Sequence, residues 1–252
     1  MIALFKSHYS IGKSILTLDT SVKEEGAPDS IFQIIQENGI ERLVLVEDSF
    51  MGFLQAQKAS QSLGISFCFG LRVNIVDEFH DPEDKKTPKH KVVIFAKSDK
   101  GCKILFRIYS LIKSNPLDAI SFKGLIDLWD NKYLDLCIPF YDSFLFSNLF
   151  LFNSFVVDIN YFEPKFFIES NGLPFDLLLS DAVKNYANKN SCEVIRAKSI
   201  FYKNRIDFDA FLTYKLICSR SGFASRKSSL EKPNLDHMGS REFCFESFLE
   251  HE

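Results

Sequence analysis

Short apolar runs bounded by polar or turn-forming residues recur along the whole 252-residue chain. "IALF" at Ile2, "RLVLVE" at Arg42, "ISFCFGLRV" at Ile65, "KVVIFA" at Lys91, "YLDLCIP" at Tyr133, "SFVVDI" at Ser154, "KFFIES" at Lys165 and "CEVIRA" at Cys192 are such runs. Their length and near-continuous apolarity predict strands buried on both faces, seven or eight of them and all parallel.

The intervening stretches switch to helical spacing. "DSIFQIIQENGI" offers Asp29 or Ser30 as N-cap, apolar Ile31, Ile34 and Ile35 on one face, and Gly39 as the stop. "FLQAQKASQSLGI" repeats the design with Gly64, and "DKGCKILFRIYSLIKSN" and "LPFDLLLSDAVKNYANKN" add two more amphipathic helices. Strand and helix alternating throughout predict an α/β barrel or a doubly wound sheet. Two segments break the rhythm. Residues 76 to 91 are polar and proline-containing and read as an exposed loop, and residues 218–252 read as an extended tail packed on a barrel of residues 1–217.

Composition narrows the function classes. The net charge of −3 gives no global attraction for nucleic acid or membrane, so any such contact must be local. Six scattered cysteines form no Cys-x-x-Cys pair, which points to reduced thiols and a cytoplasmic chain. The apolar stretch from Ser143 is broken by Asn148, Asn153 and Asp158 before it reaches spanning length, so it reads as core and no membrane partner is expected. The "GKS" at Gly12 lacks the earlier glycine of a phosphate loop.

The order of segments resembles the PHP (polymerase and histidinol phosphatase) domain of the bacterial DNA polymerase III α subunit, over residues 2 to about 248. "KSHYSIGKSIL" is similar to that family's opening His-x-His-Ser-Glu-Tyr-Ser block. "GIERLVLVEDSFMGFLQAQKASQSLGISFCFGLRV" resembles its strand, Thr-Asp-His-Gly-Asn-Met turn, helix and Gly-Cys-Glu strand. "VVIFAKSDKGCKILFRIYS" and the run from "FFIESNGLPFDLLL" through "HMGSREFCFESF" follow in the same order. The resemblance implies a distorted (β/α)7 TIM-like barrel with its site at the C-terminal strand ends. In metal-bearing members, that site holds divalent ions that activate water for phosphoester hydrolysis.

At the ligand positions the chain departs from the pattern. The first His-x-His falls on Leu4 and Lys6, with His8 where the family commonly has Glu. The Asp-His of the second motif falls on Glu47 and Asp48, and the Glu closing the third strand falls on Arg72. The next His falls on Lys91, beside His90, and the late Asn-Asp-x-His falls on Lys198 to Phe201. Lysine and arginine offer no lone pair to a cation at neutral pH. The expectation is therefore a vestigial cleft of Lys6, His8, Glu47, Asp48, Arg72, His90 and Lys91, without cofactor or catalytic residues, in which ammonium and guanidinium groups replace the ions. The competing reading is an enzyme with zinc or manganese on His8, Glu47, Asp48 and His90, a metal-dependent phosphoesterase or 3′–5′ exonuclease.

No polymerase palm is recognisable. A structural or docking role in DNA replication or repair is implied, with the polymerase body or the proofreading exonuclease as protein partner. His80 and His90 flank a loop holding Asp77, Glu78, Asp81, Glu83 and Asp84 that reads as solvated in preference to a cation trap. Nine Lys or Arg between residues 195 and 232, against three acids, include Arg196, Lys198, Lys203 and Arg205. With Phe201, Tyr202 and Phe208 interleaved, these four are candidates for DNA contact, beside the plainer reading of a basic surface.

Overall fold

A computed structural model describes residues 1–21, 26–77, 88–151, 159–219 and 239–251. In chain order its elements are β1 (Ile2–Phe5), α1 (Ile31–Glu37), β2 (Arg42–Glu47), α2 (Phe53–Leu63), β3 (Ser66–Val76) and β4 (His90–Ala96). There follow α3 (Asp99–Ser114), β5 (Ile120–Ser121), α4 (Phe122–Ile126), β6 (Leu134–Ile138), α5 (Phe144–Phe150) and β7 (Lys165–Ile168). The chain then forms α6 (Asp176–Lys189), β8 (Glu193–Ile200), α7 (Phe208–Ser219) and α8 (Phe245–His251).

Strands β2, β1, β8, β7, β6, β4 and β3 hydrogen-bond in that order, and a β2–β3 pairing closes them into a seven-strand barrel. The fold is thus mixed α/β around a closed barrel. The expectation of parallel strands throughout needs one correction: β4 runs antiparallel to both β3 and β6, while the β1–β2, β1–β8, β3–β5, β6–β7 and β7–β8 ladders are parallel. With no helix assigned between β3 and β4 among the described residues, strand and helix do not alternate strictly. Residues 154–158 of the strand expected from Ser154 lie outside the described residues, and its last residue, Ile159, opens a short 3-10 turn (Ile159–Phe162).

β3 is long enough to use its edges twice. It pairs with β4 from Gly70 to Ile75, with β2, and through Ile75 and Val76 with the two-residue β5.

Helix ends are set by the expected chemistry. The Ser30 hydroxyl accepts the Gln33 N–H to start α1, and Ser98 accepts the Gly101 N–H to start α3. Gly64 takes φ +68° at the end of α2, a left-handed conformation that suits glycine.

The contacts divide the chain into two compact units. The first holds Met1–Phe69, Glu169–Asp176 and Ala197–Glu252, and the second Gly70–Ile168 and Leu177–Arg196. In the first, Phe5 stacks on Phe245, Phe245 on Phe248, and Phe201 on Phe243 and Phe211, all buried. Part of the expected tail therefore belongs to a core, and its last turns form helix α8 where an extended segment was expected; residues 220–238 are outside the described residues. In the second unit, Phe95 meets Phe167 edge-on, and Tyr186 of α6 covers Phe144 and Phe166. Among the described residues, no helix is long and apolar enough to cross a membrane.

Candidate functional site

Three strands of the chain lead directly into a buried charged residue that belongs to the first unit. Lys6 follows β1, Glu47 ends β2, and Glu169 follows β7; all three are almost wholly buried. A charge so placed must find partners, because desolvation is costly.

Glu47 finds them in the loop after β1. Its Oε1 accepts the Ser7 N–H at 2.7 Å, and its Oε2 accepts the Ser10 hydroxyl. The Ser10 oxygen in turn accepts the Asp48 N–H at 3.2 Å. The Asp48 Oδ2 takes two ammonium groups, Lys13 at 2.9 Å and the buried Lys6 at 3.4 Å. Burial raises the Glu47 carboxyl above its ordinary range, and the nearby Lys6 charge and the serine donors oppose that rise. The loop that delivers these groups turns at Gly12, with φ +72° and the Cys218 side chain packed against it. Gly52, after β2, lies where a Cβ would come within 2.6 Å of the Tyr9 ring.

His8 stands in this loop but faces elsewhere. Its Nδ1 lies 3.3 Å from the Leu16 carbonyl, a contact that requires the proton on Nδ1, and its ring lies against Tyr9. It acts as a positioned loop residue here.

The other expected cleft residues belong to the second unit. Arg72 donates to Asp142, at a loop position of positive φ, and the Lys91 N–H donates to the Asp142 carbonyl at 3.2 Å. Arg72, expected opposite Glu47 and Asp48, thus forms an ion pair with Asp142. Register places Lys91 opposite Asn74 and His90 opposite Ile75, so Lys91 and His90 point to opposite faces of the ladder. His90 is buried, and burial pushes its pKa down to about 4, which keeps it neutral at pH 7. Among the described residues, no three His, Cys, Asp or Glu side chains gather in a geometry able to hold a metal ion. Of the acidic loop, Glu78 to Asp84, with His80, is outside the described residues.

A second buried network was not foreseen. Glu169 accepts the Ser199 N–H and hydroxyl, each at 2.8 Å, and the Asn171 side-chain amide at 3.0 Å. The Lys198 ammonium, 1% exposed, donates to the Ser170 carbonyl at 3.2 Å. Burial raises the Glu169 carboxyl and lowers the Lys198 ammonium. Asp176 accepts the Asn171 and Leu173 N–H groups, and the Ser240 hydroxyl donates to the Asn171 carbonyl, joining the C-terminal segment to this turn. The signal was available, because "KFFIES" ends in glutamate as "RLVLVE" does.

The four candidates for DNA contact are dispersed in their roles. Lys198 is buried, and Lys203 pairs with Glu37 at 3.2 Å. Arg205 gathers Glu242, Glu246 and Glu250, holding the Glu242 carboxyl down at about 2. Arg196 is exposed on β8. Three of the four therefore spend their charge inside the fold.

No family model matches the chain, and no curated protein matches it.

Proposed function

We propose that the chain is a PHP-like barrel, related to that of the DNA polymerase III α subunit, whose strand-end site is closed by its own side chains. In this reading it serves in the cytoplasm as a structural or docking module in replication or repair, with the polymerase body or the proofreading exonuclease as partner. One observation carries the reading: buried Lys6 and neighbouring Lys13 converge on Asp48, while Ser7 and Ser10 occupy both oxygens of Glu47. A divalent ion there would have to displace two ammonium groups and two hydrogen-bond donors. The donor set therefore does not fit the metal cluster that the resemblance implies, and no hydrolytic step is assigned to it. The closed barrel supports the fold half of the reading, and the reversed β4 is where the chain leaves a strict (β/α)7 alternation.

Metal analysis of the purified chain, paired with hydrolysis of a phosphodiester and of single-stranded DNA in added manganese, tests this. Well under roughly one tightly held ion per chain, and no turnover sensitive to Asp48→Ala, is the expected result. Stoichiometric zinc or manganese with turnover abolished by Asp48→Ala would establish the phosphoesterase reading instead. Co-elution with the polymerase body or exonuclease in chelator is the expected docking result.

A further inference from the structure

The outward face of α3, which opens on Asp99, carries three cations that form no ion pair among the described residues. Lys100, Lys103 and Arg107 stand at i, i+3 and i+7 and so share one stripe. All three are exposed, and among the described residues none has an acidic group within ion-pair distance. Several other cations are ion-paired within the chain, as Lys13 is by Asp48, Lys97 by Asp135 and Arg205 by three glutamates. Lys103 and Arg107 are a like-charge pair at i, i+4, which an isolated helix resists, and Arg107 has Ile104, Ser110 and Leu111 at its remaining helical neighbour positions. The chain accepts this arrangement despite a net charge of −3.

The stripe is also rigid and apolar at its margins. Gly101 lets the first turn lie against the Tyr133 carbonyl, 2.2 Å from where a Cβ would stand, and Leu105, Ile108 and Ile112 are buried beneath. That seating puts the Lys100 ammonium 4.2 Å over the Tyr133 ring, which Lys132 also reaches at 5.4 Å. Phe106 and Leu111, 42% and 47% exposed, flank the cations.

We propose that this face docks an acidic amphipathic helix of a partner protein. At 1.5 Å per residue the three cations follow one another at axial steps of about 4.5 and 6 Å. Asp or Glu at i, i+3 and i+7 of a partner helix repeat the same steps, and apolar residues beside them would cover Phe106 and Leu111. A polynucleotide fits less well, since its continuous phosphates would run past Asp99, whereas a partner helix can place a neutral residue there. The inference is independent of the strand-end reading.

The test uses the full chain and a labelled helical peptide with Glu at i, i+3 and i+7 between flanking leucines, read by fluorescence anisotropy. Saturable binding that weakens with salt is expected, falling at least about tenfold in Lys103→Glu/Arg107→Glu and unchanged in Lys58→Glu, an exposed lysine of α2. Circular dichroism melting confirms that the charge-reversed chain is folded. The proposal is overturned if the peptide fails to saturate, or if it binds the charge-reversed chain equally well. It is also overturned if an oligothymidylate binds the parent more tightly than the peptide and loses that binding on charge reversal.

Discussion

Removing the Lys6 ammonium leaves two consecutive carboxylates, Glu47 and Asp48, facing the partly exposed Lys13. Asp48 keeps Lys13 and is partly exposed, so Lys6→Ala is expected to cost about 1–2 kcal/mol, less than the loss of a fully buried pair, measured as the urea midpoint at pH 7. Combining it with Asp48→Asn should cost less than the sum of the two. Buried titratable groups also set the pH response. His90 has a folded pKa of about 4 against 6.5, so the folded state favours its neutral form. Its contribution is present above pH 6.5 and is lost as pH falls toward 4, by up to about 3 kcal/mol. Glu47 and Glu169, raised in the fold, act oppositely: their contribution is present at acid pH and lost as pH rises through their raised values. Denaturation at pH 7 and near pH 5 should therefore show a smaller acid loss in His90→Leu than in the parent. Lys6, Glu47 and Asp48 were legible because each charge abuts an apolar strand. Arg72 was visible as a charge within a strand, but its partner Asp142 is 70 residues away, beyond any local pattern. Lys198 was grouped by charge density with Lys203 and Arg205, whereas its place in β8, two residues before buried Ile200, governs where it points.

At the scale of elements, α3 depends on a residue that helix propensity disfavours. Gly101→Ala improves propensity, yet its Cβ would meet backbone, not a movable side chain. A net loss of about 2 kcal/mol is expected by thermal or urea unfolding. The C-terminal segment depends on Arg205, whose loss would leave three glutamates side by side. Arg205→Ala should cost on the order of 1 kcal/mol, given its partial exposure, and accelerate amide exchange from Phe243 to Phe248. The helices from α1 to α3 and the apolar strands were readable because caps, stops and burial periods are written locally. The direction of β4 was not, because a strand buried on both faces has the same composition whether parallel or antiparallel. β5 has two residues, too few for any period to register.

For the molecule as a whole, the first unit is assembled from segments remote in sequence. Phe243, Phe245 and Phe248 are buried, two of them against the rings of Phe5 and Phe201. A chain ending before residue 239 forfeits roughly 5 kcal/mol of apolar burial, comparable with the whole stability of a typical domain. Such a truncation is expected to lose its cooperative thermal transition, which calorimetry would register. The strand pattern left a barrel or a doubly wound sheet open and only the family resemblance implied the barrel, while the dependence on the C-terminal rings was not anticipated, since nothing in "REFCFESF" identifies which rings it meets.

The double use of β3 carries a consequence for solution behaviour. A long strand paired over only part of one edge would offer free amide and carbonyl groups to any extended chain it met. β2 takes part of β3, and Ile120 and Ser121 of β5 take Ile75 and Val76, so a two-residue strand caps what would otherwise be a template for intermolecular strand addition. Disrupting β5, for example by Ile120→Pro, is therefore expected to promote association of the chain, read by light scattering, beyond what the loss of two ladder pairs costs in stability.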